Sequence, residues 1–177
     1  MPDIPHEIPR DVALIDWPVW IPTERAVLCF ARDHDWVLLI NKKTGLGAGK
    51  VNAPGGRIDP GESAMAAAIR EVKEEVLVDV WDLREAGQLF FQFTDGYKLH
   101  GTVFFAAGFA GTPTDTPEAG PFWCRIDELP YDRMWEDDRH WLPLALAGAY
   151  FRAYFVFDGD RMLSKRIVTE GHEPVGE

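Results

Sequence analysis

Residues 55–78 read GGRIDPGESAMAAAIREVKEEVLV, and three glutamates in that stretch constrain the fold most. Glu71, Glu74 and Glu75 stand at i, i+3 and i+4, so on an α-helix they fall within about 100° of arc. Ser63 supplies an N-cap, Pro60-Gly61 a turn before it, and AMAAAIREVKEEV a run of strong helix formers. Ala67, Ala68, Val72 and Val76 are expected to face a sheet, with the glutamates on the opposite side. Like charges at this spacing repel. A hard divalent cation relieves the repulsion, because carboxylate and carbonyl oxygens are its preferred ligands. Mg²⁺ is the expected ion, with Mn²⁺ as a substitute. The plain alternative is a solvated acidic helix face.

At 177 residues and 46% hydrophobic content, the chain is expected to form one domain with a substantial core. Against 18 basic residues stand 29 acidic ones, a formal charge of −11. That balance excludes affinity for long nucleic acids, whose phosphates demand neutralisation by Lys and Arg. It leaves room for a small nucleotide that arrives with a metal. No apolar run reaches the ~18 residues a membrane helix needs, and MPDIPHEIPRD has no signal-peptide character. The expectation is a cytoplasmic protein without membrane contact. Cys29 and Cys124 read as reduced, buried thiols.

Pro2, Pro5, Pro9, Pro18 and Pro22 rule out a long helix or a central strand in residues 1–22. These form an N-terminal Pro-rich arm, pinned by Trp17 and Trp20. Short apolar runs at 27–30 and 36–40 flank a hairpin-like turn, and a glycine-rich loop at 44–50 leads into Gly55-Gly56. Strands are expected at 86–94 and 98–107, where Gln88, Phe90 and Gln92 alternate with Leu89, Phe91 and Phe93. A strand at 121–126, a helix around 141–148 and a closing pair at 150–157 and 163–168 complete the domain. The expectation is an α/β sandwich around a mixed sheet over residues 23–168, with a tail at 169–177.

Hydrolysis of a phosphoanhydride needs cations on the phosphate oxygens, an activated water and donors that hold the substrate in line. Glu71, Glu74 and Glu75 supply a metal face, and the Gly55 carbonyl can add a ligand. Arg70 can orient one carboxylate as a bidentate partner. Glu71, Glu74 and Glu118 all remain open as the general base. Further on, Met134-Trp135-Glu136-Asp137-Asp138-Arg139-His140-Trp141 sets two tryptophans around paired aspartates. Adjacent carboxylates push one pKa up, so one can stay protonated. A neutral and an ionised carboxyl together donate to and accept from a purine edge, while a tryptophan face stacks on it. Taken alone, these residues also suit a helix start with core tryptophans. Phe91 equally suits the core, Asn52 a turn, and Lys42 a strand end.

Gly56, five residues, Glu62, seven residues, then Arg70-Glu71-Val72-Lys73-Glu74-Glu75 closely resembles the Nudix box. Leu77 stands where that family usually has glycine, which suggests a different helix end. GLGAGKVN, GQLFFQF and the Met134-Trp135/Asp137-Asp138/Trp141/Pro143 pattern are similar to the MutT-type oxidised-purine nucleoside triphosphatases of the family, over about residues 23–168. The resemblance implies a Nudix-type α/β/α sandwich. It implies catalytic roles for Arg70, Glu71 and Glu74, and a metal site of Gly55, Glu71, Glu74, Glu75 and Glu118. Asn52, Trp135, Asp137 and Asp138 would grip the base, Phe91 line its pocket, and Lys42, Gly56 and Arg57 lie along the nucleotide. Val27, Leu46, Pro54 and Leu99 depart from the family's pocket walls. The expected activity is Mg²⁺-dependent conversion of an oxidised purine nucleoside triphosphate to monophosphate and pyrophosphate. The alternatives are a broader pyrophosphatase on nucleotide sugars, dinucleotides or RNA 5′ ends, and a catalytically silent nucleotide-binding domain.

Overall fold

The structure, a computed structural model, describes residues 7–170. In chain order the elements are β1 (Glu24–Asp33), β2 (Trp36–Lys42), β3 (Val51–Asn52), β4 (Gly55–Arg57), α1 (Ala64–Val76), β5 (Asp79–Phe93), β6 (Lys98–Ala110), β7 (Ala119–Arg125), α2 (Asp138–Leu146), β8 (Tyr150–Asp158) and β9 (Arg161–Glu170). The strands form one mixed sheet in the order β3-β2-β1-β6-β5-β8-β9, with β4 on β1 and β7 on β2. Two pairs are parallel, β1 with β6 and β5 with β8; the other pairs are antiparallel.

The two helices cover opposite faces, which gives the expected three layers. On one face Ala67, Ala68, Val72 and Val76 of α1 bury against Val27, Cys29 and Ile40. On the other, Trp141, Leu142 and Ala145 of α2 meet Phe30, Phe105, Phe151 and Phe155. Phe30 stacks on Phe105 at 5.1 Å and Trp141 on Phe151 at 5.1 Å between ring centroids. Burying side chains of this size contributes about 1.5–3 kcal/mol each, so these two layers hold both helices against the sheet.

Three departures from the sequence expectation bear on the fold. β5 starts at Asp79, seven residues before Ala86. Its first half carries Asp82 at φ 53 and a register shift between Glu85 and Gly87, so no clean alternation marks it. β9 runs on to Glu170 and takes Thr169 and Glu170 out of the expected tail; residues 171–177 lie outside the described ones. Finally, Leu77 does not change how α1 ends. It adopts the left-handed conformation, φ 60 and ψ 31, that glycine usually supplies, and its N–H bonds the Lys73 carbonyl.

The arm, described from residue 7, lies on the outer face of β5 and β8 as two short 3₁₀ turns, Val12–Leu14 and Trp17–Val19. Trp17 meets Trp20 at 5.4 Å and Tyr154 at 4.9 Å, and Trp20 Nε1 donates to Gln92 Oε1 at 3.0 Å. The Val12 N–H donates to Ser164 Oγ on β9. The arm thus covers the Phe90 side of β5 and β8, beyond the part of that face that α1 occupies.

Candidate active site

A cleft of about 540 Å³ runs across the sheet from the N-terminal strands to the start of α2. One end is acidic. Glu71 and Glu75 of α1 reach the edge of β4, so the glutamates do not all point away from the sheet as expected. Glu75 is only 6% exposed, and its Oε2 accepts the Gly55 N–H at 3.2 Å. A side chain at Gly56 would put Cβ 2.4 Å from the Glu71 carboxyl carbon. Only glycine lets β4 pass so close. Glu118, in the loop before β7, lines the same end.

Arg70 organises this end from outside. It grips Glu62 with Nε and Nη2, each at 2.8 Å, and touches Glu71 Oε1 at 2.8 Å, Glu74 Oε2 at 3.1 Å and the Arg57 carbonyl at 3.0 Å. The bond from Arg70 holds the Glu62 carboxyl down at about 2. Glu62 is the box residue to which no site role was assigned, and it anchors the arginine. Glu74, half-exposed, faces Arg70 and not the cleft lining. Of the box glutamates, then, Glu71 and Glu75 come together there and Glu74 stands off.

Burial pushes the Glu75 carboxyl up to about 7; the Gly55 N–H and Lys42 pull it down, and Glu71 and Glu118 push it further up. Burial likewise raises Glu71 against the pull of Arg70, with Glu74 and Glu118 adding to the rise. Among the described residues no three His, Cys, Asp or Glu side chains already converge as a finished metal cage. The donor chemistry nevertheless fits a hard cation: all-oxygen, crowded, mutually repelling carboxylates beside a bare glycine backbone. Glu71, Glu75, Glu118 and the Gly55 carbonyl are the groups that would hold it.

Sequence reasoning missed the residues that place Glu118. Thr116 Oγ1 donates to the Glu75 carbonyl at 2.7 Å and accepts the Glu118 and Ala119 N–H groups at 3.3 Å. Lys43 Nζ donates to the Thr116 carbonyl and pairs with Asp115. The loop is thereby tied to the last turn of α1. Threonine and lysine in a polar stretch carry no signal of this in sequence.

The other end of the cleft is aromatic and holds buried acid. Phe91 and Phe93, with Trp135, form its walls. Phe91 is only partly buried, stacked on Phe155 at 5.4 Å, so it is both packing and pocket. Of the two tryptophans, Trp141 is wholly buried and donates from Nε1 to Asp137 Oδ2 at 2.8 Å. Trp135 lines the cleft, with Lys50 Nζ over its ring and Gly47 against its edge. Asp137 and Asp138 are 1% and 3% exposed. Neither serves α2 as a cap: Asp137 occupies the N-cap position without a side-chain bond. Asp137 Oδ1 and Asp138 Oδ2 are buried with no hydrogen-bond partner among the described residues. Burial raises both pKa values, and the Asp137 charge raises Asp138 well above the usual carboxylate range.

Asn52, Lys42 and Arg57 also line the cleft. The Asn52 side-chain oxygen is taken by the Ala53 N–H at 2.8 Å, so it is the amide's donor side that is free. Arg57 Nε pairs with Glu24 at 2.9 Å.

A NUDIX domain family model matches residues 22–145 of this chain. The chain belongs to the Nudix family. It is 38% identical over 137 residues to the oxidized purine nucleoside triphosphate hydrolase of Danio rerio, which covers 76% of this chain and 86% of that one. The Mus musculus protein of the same name is 38% identical over 130 residues, 72% and 83% of the two chains. Among solved structures, a MutT protein from Bacillus halodurans superposes with a TM-score of 0.72 at 27% identity, covering 81% of this chain and 97% of that one. A MutT Nudix hydrolase from Burkholderia pseudomallei, 23% identical with a TM-score of 0.61 over 72% and 98%, shares the fold. The Nudix mixed sheet and its flanking helices are therefore established, and the box lies where the cleft's acidic end is built.

Proposed function

We propose that this protein is a Mg²⁺-dependent nucleoside triphosphatase that converts oxidised purine nucleoside triphosphates to the monophosphate and pyrophosphate. One observation carries the reading. A single cleft of about 540 Å³ has buried carboxyl oxygens without a partner among the described residues at one end, Asp137 Oδ1 and Asp138 Oδ2, and crowded ionisable glutamates at the other. A buried polar atom without a partner costs about 1–3 kcal/mol, so a ligand with matching donors and acceptors recovers that cost on binding. With the upper carboxyl protonated and the lower ionised, the pair donates one hydrogen bond and accepts others. That pattern suits the edge of a purine bearing both carbonyl and N–H groups, and Trp135 supplies the stacking face. The names of the vertebrate relatives point the same way.

At the acidic end Lys42, whose charge acts on Glu75, meets the phosphates beside β4. A bound divalent ion supplies charge neutralisation and lowers the pKa of water. The oxygen of an attacking water bonds to phosphorus, the bridging bond between the α- and β-phosphoryl groups breaks, and pyrophosphate leaves. The water's proton passes to a box glutamate, and Glu71 is the one that both lines the cleft and is oriented by Arg70. Arg70 itself positions carboxylates and does not reach the base end. Glu74, held outside the cleft lining, supports Arg70.

Cys29 and Cys124, both free thiols, suit a reducing compartment, and we place the protein in the cytoplasm. Among the described residues no helix is long and apolar enough to cross a membrane. Incubation with Mg²⁺ and a panel of nucleotides, with pyrophosphate and phosphate measured separately, tests the proposal. Pyrophosphate and monophosphate from an oxidised purine triphosphate are expected. Turnover confined to nucleotide sugars, dinucleotides or capped RNA, or none at all, overturns it.

A further inference from the structure

Strand order fixes what lies beneath the middle of a bound nucleotide. From base end to acidic end the cleft floor crosses β5, β6, β1 and β4. Phe91 on β5 pairs with Leu99 on β6, and Leu99 with Glu24 on β1. The next row runs Leu89, Gly101, Ala26, Arg57. Strands lie about 4.8 Å apart, so three steps span roughly 14 Å. A nucleotide with its base on Phe91 and its phosphates by β4 therefore lays its sugar over β6 and β1. The cleft-lining residues of those strands are Glu24, Ala26, Val27, Leu28, Leu99 and Gly101. Glu24 alone has a polar side chain.

Its carboxylate is also prepared. Tyr97 O–H donates to Oε2, and Arg57 Nε forms an ion pair with the same oxygen at 2.9 Å. Oε1 has no side-chain partner among the described residues. Burial and the neighbouring Glu24 push the Tyr97 phenol up to about 12, so it stays a donor across the neutral range. A fixed carboxylate acceptor with one free oxygen, in an otherwise apolar stretch of floor, matches a hydroxyl donor.

We infer that Glu24 accepts a hydrogen bond from a sugar hydroxyl of the nucleotide, making the enzyme selective for hydroxylated over dideoxy sugars. The inference rests on the nucleotide reading proposed above and adds to it the part of the substrate that no box residue touches. Tyr97 and Arg57 act through Glu24 as positioning residues.

The test compares kcat/KM on guanosine triphosphate with 2′-deoxy, 3′-deoxy and 2′,3′-dideoxy analogues, with the full chain and Mg²⁺. Wild type should favour the hydroxylated sugars over the dideoxy one by about tenfold to a hundredfold, the scale of a hydrogen bond to a charged group. In Glu24→Ala that ratio should fall toward one, mainly through loss on the hydroxylated substrates. Tyr97→Phe, which leaves the carboxylate in place but less fixed, should lower it part-way. Should Glu24→Ala fail to fold in a thermal melt, the wild-type ratio and Tyr97→Phe decide. A wild-type ratio near one, or a Glu24→Ala enzyme that still discriminates, overturns the inference. Wild type inert on every purine triphosphate is a different failure, that of the proposed activity, and removes this one with it.

Discussion

Glu75 holds a carboxylate where a carboxylate is costly, buried between the Gly55 N–H and two other glutamates. Its folded-state pKa, about 7, lies above the ordinary 4.5. The stability that follows from keeping it protonated is therefore full below about pH 4.5 and lost as pH rises through about 7. Without metal, Glu75→Gln should remove this part of the pH dependence and leave the protein more stable than wild type at pH 8, by up to on the order of 3 kcal/mol. The same variant should bind Mg²⁺ more weakly and lose kcat by about a hundredfold or more. Denaturant melts at pH 5 and pH 8, with a Mg²⁺ titration, check both halves; normal turnover at saturating Mg²⁺ removes Glu75 from the mechanism. Helical spacing alone made the glutamates legible as a set but not their direction. A periodicity argument assumes the polar face meets solvent, whereas here Gly55 and Gly56 leave a gap at the sheet edge that two of the three enter.

At the scale of the elements, α1, its Ser63 cap and the core stripe were legible because local propensity and packing agree. The first half of β5 was not, since a strand that bulges and turns through a left-handed Asp82 has no period to read. Nor was the route of α1 into β5. Leu77 takes a left-handed conformation although its branched side chain pays about 1 kcal/mol for it. Leu77→Gly should accordingly raise stability by about 1 kcal/mol without changing kcat/KM; a loss of stability would mean that the half-exposed leucine contributes more by contact than it costs in strain. The glycine-rich loop makes a second prediction. Gly47 sits at φ +82, and a Cβ there would lie 2.7 Å from Trp135 Nε1. Gly47→Ala should displace the indole and raise KM for purine triphosphates about tenfold or more, with Mg²⁺ affinity unchanged. An unaltered KM would show that the base does not stack on Trp135.

Taken whole, the molecule is a Nudix sheet whose one cleft joins an aromatic end to an acidic end, plus an arm that covers β5 and β8 beyond the reach of α1. The arm's prolines forecast irregular backbone, and Trp17 and Trp20 forecast anchoring, but which face they reach depends on strand order, which no local pattern encodes. Trp17→Ala should lower stability by about 2 kcal/mol through lost aromatic packing while sparing kcat/KM, since the arm lies across the sheet from the cleft. The central claim is that buried acid reads the base while the glutamates serve the phosphates. It is tested most directly by kcat/KM of wild type and Asp138→Asn on an oxidised and an ordinary guanine triphosphate, with Mg²⁺ binding measured alongside. The predicted result is that Asp138→Asn loses at least about tenfold on the oxidised substrate, changes the ratio between the two, and binds Mg²⁺ as wild type does. An unchanged ratio would contradict the account and leave Asp138 as part of the start of α2.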